Sequence, residues 1–224
     1  MKMICQMLLS HYAKVIKILT LFVSLMVVCI SVFAQEKELK LNPAYSDIKV
    51  DKDNKTIEKL LSKDKKVVDK TVKEVLKNLD SYNPSVLYVL SNVYFQENKD
   101  EASRIFYIGQ LRARIDANIC QDISAREAVS LLNEQFGYLI NTYTFQNVEN
   151  LERIVNDAIE YVKKNDVRYD RRWINLHGMK SYVFEEGGKP YTEPEEKWPE
   201  IINSTIDSYS KGFLGALESI KNKN

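Results

Sequence analysis

The chain has 224 residues, of which 45% are hydrophobic and 28% charged, with 32 basic against 31 acidic side chains. That balance excludes the strongly basic face a nucleic-acid binder needs. Three cysteines exclude a dense disulfide framework, while seven glycines and five prolines leave few turns and favour long helices over a many-stranded sandwich.

Residues 1–34 read as a signal peptide. Lys14 and Lys17 supply the positive region, residues 18–32 carry no charge, and Val32-Phe33-Ala34 sets up cleavage after Ala34. The apolar run falls short of the roughly 20 residues a spanning helix requires, so no stable membrane insertion is expected after cleavage, and the expected location is periplasmic or secreted. Removing Lys2, Lys14 and Lys17 leaves 29 basic against 31 acidic side chains. Cys5, Cys29 and His11 leave with the signal, so Cys120 becomes the lone cysteine, expected buried as a small hydrophobe. His177 becomes the lone histidine.

Residues 35–55 mix charges with little apolar content and read as an extended N-terminal arm. A single helical domain is expected over 56–224. After a short helix near Thr56, residues 65–79 repeat Val68, Val72, Val75, Leu76 and Leu79 at spacings of three and four. Asn83-Pro84 supplies a cap followed by a proline in the first turn. The helix it opens stops near Asn98, and Asp100 is expected to cap the next, which runs to about Asn118. The centre of that helix, Ile105-Phe106-Tyr107-Ile108-Gly109-Gln110-Leu111, is uncharged all round and is therefore expected to be buried. Ser124 and Glu127 read as a capping box ahead of Ala128, Leu131, Leu132, Phe136, Leu139 and Ile140. Asn147 precedes a clean stripe from Val148 to Val162. Residues 165–192 break the helical pattern, and a last helix, started afresh or kinked at Pro199, follows Pro194. The fold class is all-α, a bundle or short solenoid of about six to seven helices.

Within residues 84–118, Ser91 and Tyr94 stand on the first helix and Ala102, Phe106 and Gly109 on the second, joined through Glu97-Asn98-Lys99-Asp100. Small side chains at Ser91, Ala102 and Gly109 allow close approach, with Tyr94 and Phe106 filling the space beside them. The pair resembles a tetratricopeptide-repeat hairpin over about 35 residues. The resemblance implies a scaffold that binds other polypeptides, and it brings no catalytic residues.

The segment from Arg168 to Met179 interleaves arginine and aromatic residues outside any helical stripe, a composition that protein interfaces favour because Trp, Tyr and Arg bury large rigid areas and keep a polar handle. Tyr169, Arg171, Arg172, Trp173 and His177 are the candidate binding residues. Alternatively, Trp173, Leu176 and Tyr182 fold back over the bundle end with the arginines paired to Asp166 and Asp170. Arg112, with Asp116 four residues on, suggests an intrahelical pair, and Arg114 lies beside it. No catalytic, metal or cofactor motif emerges, and Glu193, Glu195 and Glu196 lack the spacing of a calcium loop. The expected function is an exported, non-enzymatic protein-interaction module with a protein partner, of the inhibitor or immunity type. The alternative is a small hydrolase or transferase with a site near His177 and Arg112, for which Cys120 and Asp170 are the available partners of the histidine.

Overall fold

A computed structural model describes residues 42–183 and 191–221. The expected signal peptide and the first residues of the arm lie outside them. Seven α-helices occur among the described residues: α1 Asp51–Leu60, α2 Lys65–Leu76, α3 Pro84–Tyr94, α4 Lys99–Ile119, α5 Glu127–Thr144, α6 Val148–Lys164 and α7 Trp198–Lys221. The all-α class is as the sequence predicts, and the described residues contain no β-strand, only one isolated bridge between Cys120 and Thr192.

Local chemistry fixes most helix starts. Asn83 accepts from the Ser85 amide (3.0 Å) with Pro84 in the first turn of α3, and Asn147 accepts from the Asn150 amide (3.0 Å) at the start of α6. Two expected caps move. Asn98, not Asp100, caps α4 by accepting from the Glu101 amide at 3.0 Å, which frees Asp100 to hold other helices. The capping box does not form either: Ser124 sits in a 3-10 turn, Ile123–Arg126, donates to Asp122 Oδ1 (2.6 Å) and accepts from the Met179 amide (2.8 Å). Pro199 falls within the first turn of α7, where its missing N–H costs no hydrogen bond. The N-terminal arm is shorter and better anchored than expected, because α1 already starts at Asp51 and Tyr45 and Ile48 before it are buried.

Helix α4 is the hub and packs against α3, α5, α6 and α7. Its uncharged centre is buried as predicted, Ile105, Phe106, Ile108 and Leu111 being wholly inaccessible. Each such side chain contributes about 1.5–3 kcal/mol relative to exposure. Close approach of α3 depends on Gly109, where an added Cβ would stand 3.2 Å from the Leu87 Cβ. Tyr88 meets Phe106 edge-on at 5.2 Å, a favourable geometry for aromatic quadrupoles.

Candidate interaction surface

The arginine–aromatic segment, expected to face a partner, is turned inward by one carboxylate. Asp116, on the second half of α4, is wholly buried. Burying an ionised carboxylate is costly unless it is paired and hydrogen-bonded. The segment after α6 supplies what is needed: Arg171 Nη1 donates to Oδ1 (2.6 Å), while Tyr169 Oη and Trp173 Nε1 both donate to Oδ2 (2.8 Å each). Burial pushes the Tyr169 phenol well above its ordinary pKa, with the Asp116 charge acting in the same sense, so the hydroxyl keeps the proton it donates. Trp173 is only 2% exposed. Tyr169, Arg171 and Trp173 are therefore committed to holding the segment on α4, which corrects their assignment as partner-facing anchors.

Arg172 is placed by the 3-10 turn Arg171–His177, whose cap Asp170 accepts from the Arg172 amide at 3.0 Å. Its guanidinium forks onto Asp170 (2.9 and 2.8 Å) and reaches Asp47 at 2.9 Å, tying the N-terminal segment to the turn. His177 is exposed at the end of this turn, its ring 5.5 Å from that of Trp173 in an edge-on contact. Tyr182, expected to help cover the bundle end, is also exposed.

The expected Arg112–Asp116 pair is replaced by a crossed arrangement. Arg112 is buried and bonds Asp80 Oδ1 at 2.6 Å, between α2 and α3, while Asp116 takes Arg171. Arg112 Nε is left as a buried donor without an acceptor. No described bond joins Arg112 to His177. Cys120 is buried, as expected, and burial raises its thiol to about 11, so it is protonated and a poor nucleophile at neutral pH. Among the described residues no group of three or more His, Cys, Asp or Glu side chains could hold a metal ion. No described helix is long and apolar enough to cross a membrane.

Large apolar side chains stay exposed in the turns at Ile123, Met179 and Val183, and as a regular series on α5. The sequence assigns Leu131 and Leu139 to its packed stripe, yet Leu131 is 57% exposed, Tyr138 76% and Phe145, just beyond the helix, 51%; Leu139 is exposed as well. Helix α5 buries Ala128, Val129, Gly137, Ile140 and Thr144 instead, with Leu132, Phe136 and Tyr143 partly covered. Leu131, Tyr138 and Phe145 recur at seven-residue intervals, so the helix portion of the series runs along one outer face. The only charged residues of α5 are Glu127 and Glu134, each four residues before a member of this series and so flanking it. The tell-tale sequence signal is that α5 carries apolar residues on more than one face, which periodicity alone reads as a wide core stripe.

Comparison of the chain with protein-family models, with curated proteins and with solved structures finds no match.

Proposed function

We propose that the protein is an exported, non-enzymatic interaction module, of the inhibitor or immunity type, that receives a protein partner on the outer face of α5. The observation that carries this reading is the exposed series Leu131, Tyr138 and Phe145. Large apolar side chains aligned on one face, beside a core that needs none of them, mark an interaction surface. The partner best matched to the face is an amphipathic helix whose apolar seam is flanked by lysine or arginine, because the face offers Glu127 and Glu134 and no cation from α5. A scaffold built around a tetratricopeptide-like hairpin at residues 84–118 suits such a role, since helical hairpins present rigid helix faces to other polypeptides.

The test uses the mature chain as bait and a variant carrying Leu131→Ser, Tyr138→Ser and Phe145→Ser. These positions lie outside the core, so the variant keeps its helical circular dichroism. A stoichiometric partner held by the parent is expected to bind the variant at least about tenfold more weakly, a loss of roughly 1.4 kcal/mol. Undiminished binding by the folded variant overturns the reading.

A further inference from the structure

Of the eight arginines in the chain, five hold carboxylates: Arg104 on Glu101, Arg112 on Asp80, Arg153 on Asp100 and Asp157, Arg171 on Asp116, and Arg172 on Asp170 and Asp47. A sixth, Arg168, donates to the Ser81 hydroxyl at 3.0 Å. Arg114 and Arg126, alone among the described arginines, have neither an ion pair nor a hydrogen bond, and both line the same cleft.

The cleft, of about 450 Å³, lies between α4, the start of α5 and α7 and opens to solvent. Each helix contributes residues spaced three or four apart. Helix α4 gives Arg114, Ala117 and Asn118. The α5 end gives Arg126, Val129 and Ser130, and α7 gives the hydroxyls of Ser204, Thr205 and Ser208 with the Tyr209 ring. No carboxylate is among the lining residues. Arg114 is half-buried and lies over the Tyr209 ring, 5.7 Å from its centroid. The Tyr209 hydroxyl is fixed by donation to Gln110 Oε1 at 2.7 Å, and Gln110 in turn donates to Asn133 at 2.7 Å. This wall is thus held in place before any ligand arrives. A second cleft, of about 360 Å³, is lined by Arg112 and Arg171, but both of those cations already hold carboxylates, and Asp166 and Asp207 stand in its wall.

We infer that the cleft of Arg114 and Arg126 is a binding site for a phosphate or sulfate group carried on a hydroxylated body of sugar size. Two guanidinium groups without a counter-ion supply planar forked donors, the geometry that suits a tetrahedral oxyanion. A lone oxyanion fills only a fraction of the space. Ser204 is held on the Ile201 carbonyl (3.1 Å) and Thr205 accepts from Asn118 (3.0 Å), so the Ser208 and Ser130 hydroxyls, without a described bond, take the hydrogen bonds of a polyol, and Ala117, Val129 and the Tyr209 ring offer it an apolar floor. A site of this volume falls within the range of small-ligand pockets, about 300–1,000 Å³.

Isothermal titration of the full chain with glucose 6-phosphate, glucose 6-sulfate, inorganic phosphate and glucose tests this. Saturable binding of the sugar ester is expected, at least about tenfold tighter than that of inorganic phosphate and weakening as salt rises, with none by glucose. Arg126→Gln, at an exposed position, and Arg114→Gln are each expected to weaken binding at least about tenfold, with the helical spectrum retained. Vesicles containing phosphatidylinositol identify the source: retention by them that depends on Arg126, with tighter binding than the free sugar ester, assigns the group to a lipid headgroup. No binding of any phosphate or sulfate ester, or binding indifferent to both arginines, overturns the inference. Because Arg126→Gln leaves Leu131, Tyr138 and Phe145 in place, the partner-docking reading stands or falls separately.

Discussion

Asp116 is the residue on which the end of the bundle is organised. Its carboxylate is buried with three donors aimed at it, from Tyr169, Arg171 and Trp173. Replacing it by alanine leaves a cation without its partner and two orphaned donors. Breaking a buried pair from one side costs about 3–5 kcal/mol, so Asp116→Ala is expected to lower the urea midpoint of unfolding severely. Trp173→Phe keeps most of the ring and removes one donor, for an expected loss of about 1–3 kcal/mol. A Trp173→Phe protein as stable as the parent would mean that the indole N–H is dispensable. The sequence shows an arginine four residues before Asp116 and predicts that they pair. It cannot show that Asp80 lies nearer to Arg112, because the contact spans 32 positions, and helical spacing reports only neighbours within one helix. The same limit hides that Arg114 and Arg126 line one cleft, which rests on the packing of three helices.

At the scale of elements, the caps show what local sequence decides. Asn83 and Asn147 are legible because an Asx side chain, a helix start and, at Asn83, a following proline coincide. Asn98 and Asp100 are two positions apart and both are good caps, so only the structure assigns Asn98 to the cap and Asp100 to three other donors. Tyr143 of α5 donates to Asp100 at 2.7 Å, and Asn150 and Arg153 of α6 at 3.0 and 2.6 Å. Asn98→Ala is therefore expected to cost about 0.5–2 kcal/mol through the cap alone.

Asp100 also makes the junction of α4, α5 and α6 sensitive to acid. The Tyr143 hydroxyl first, then Asn150 and Arg153, holds its carboxyl below the usual range. Asp170 is lowered too, since the Arg172 fork and two backbone amides outweigh the opposing effect of burial. A carboxylate with a depressed folded pKa gives stability that is present above its unfolded value, near 3.9, and is lost as pH falls through the folded value. Asp53 and Asp116, raised by burial, act in the opposite sense. The Asp100→Asn difference isolates the first effect: parent and variant are expected to diverge in thermal stability at neutral pH and to converge below about pH 4. A constant gap down to low pH would contradict the assignment.

For the molecule as a whole, the all-α class and the buried centre of α4 are legible because a helix apolar on every side has nowhere to go but inside. The location of the proposed recognition surface is not. Arginine and aromatic residues outside a helical pattern suit a partner's surface and the protein's own core equally well. In this chain one buried carboxylate decides for the core. Conversely, Leu131 and Leu139 look like packing residues until the neighbours of α5 are seen to occupy its other side. The outcome is a bundle in which Tyr169, Arg171 and Trp173 of the conspicuous cluster are spent on a buried carboxylate, while an ordinary-looking helix exposes a regular apolar series.

Site-specific photo-crosslinking tests that division most directly, with the photoreactive residue placed at Tyr138 in one protein and at Arg172 in another, each incubated with the partner captured by the parent chain. A covalent adduct is expected from position 138 and none from position 172. An adduct from 172 with none from 138 would contradict it and return the binding face to the arginine–aromatic turn.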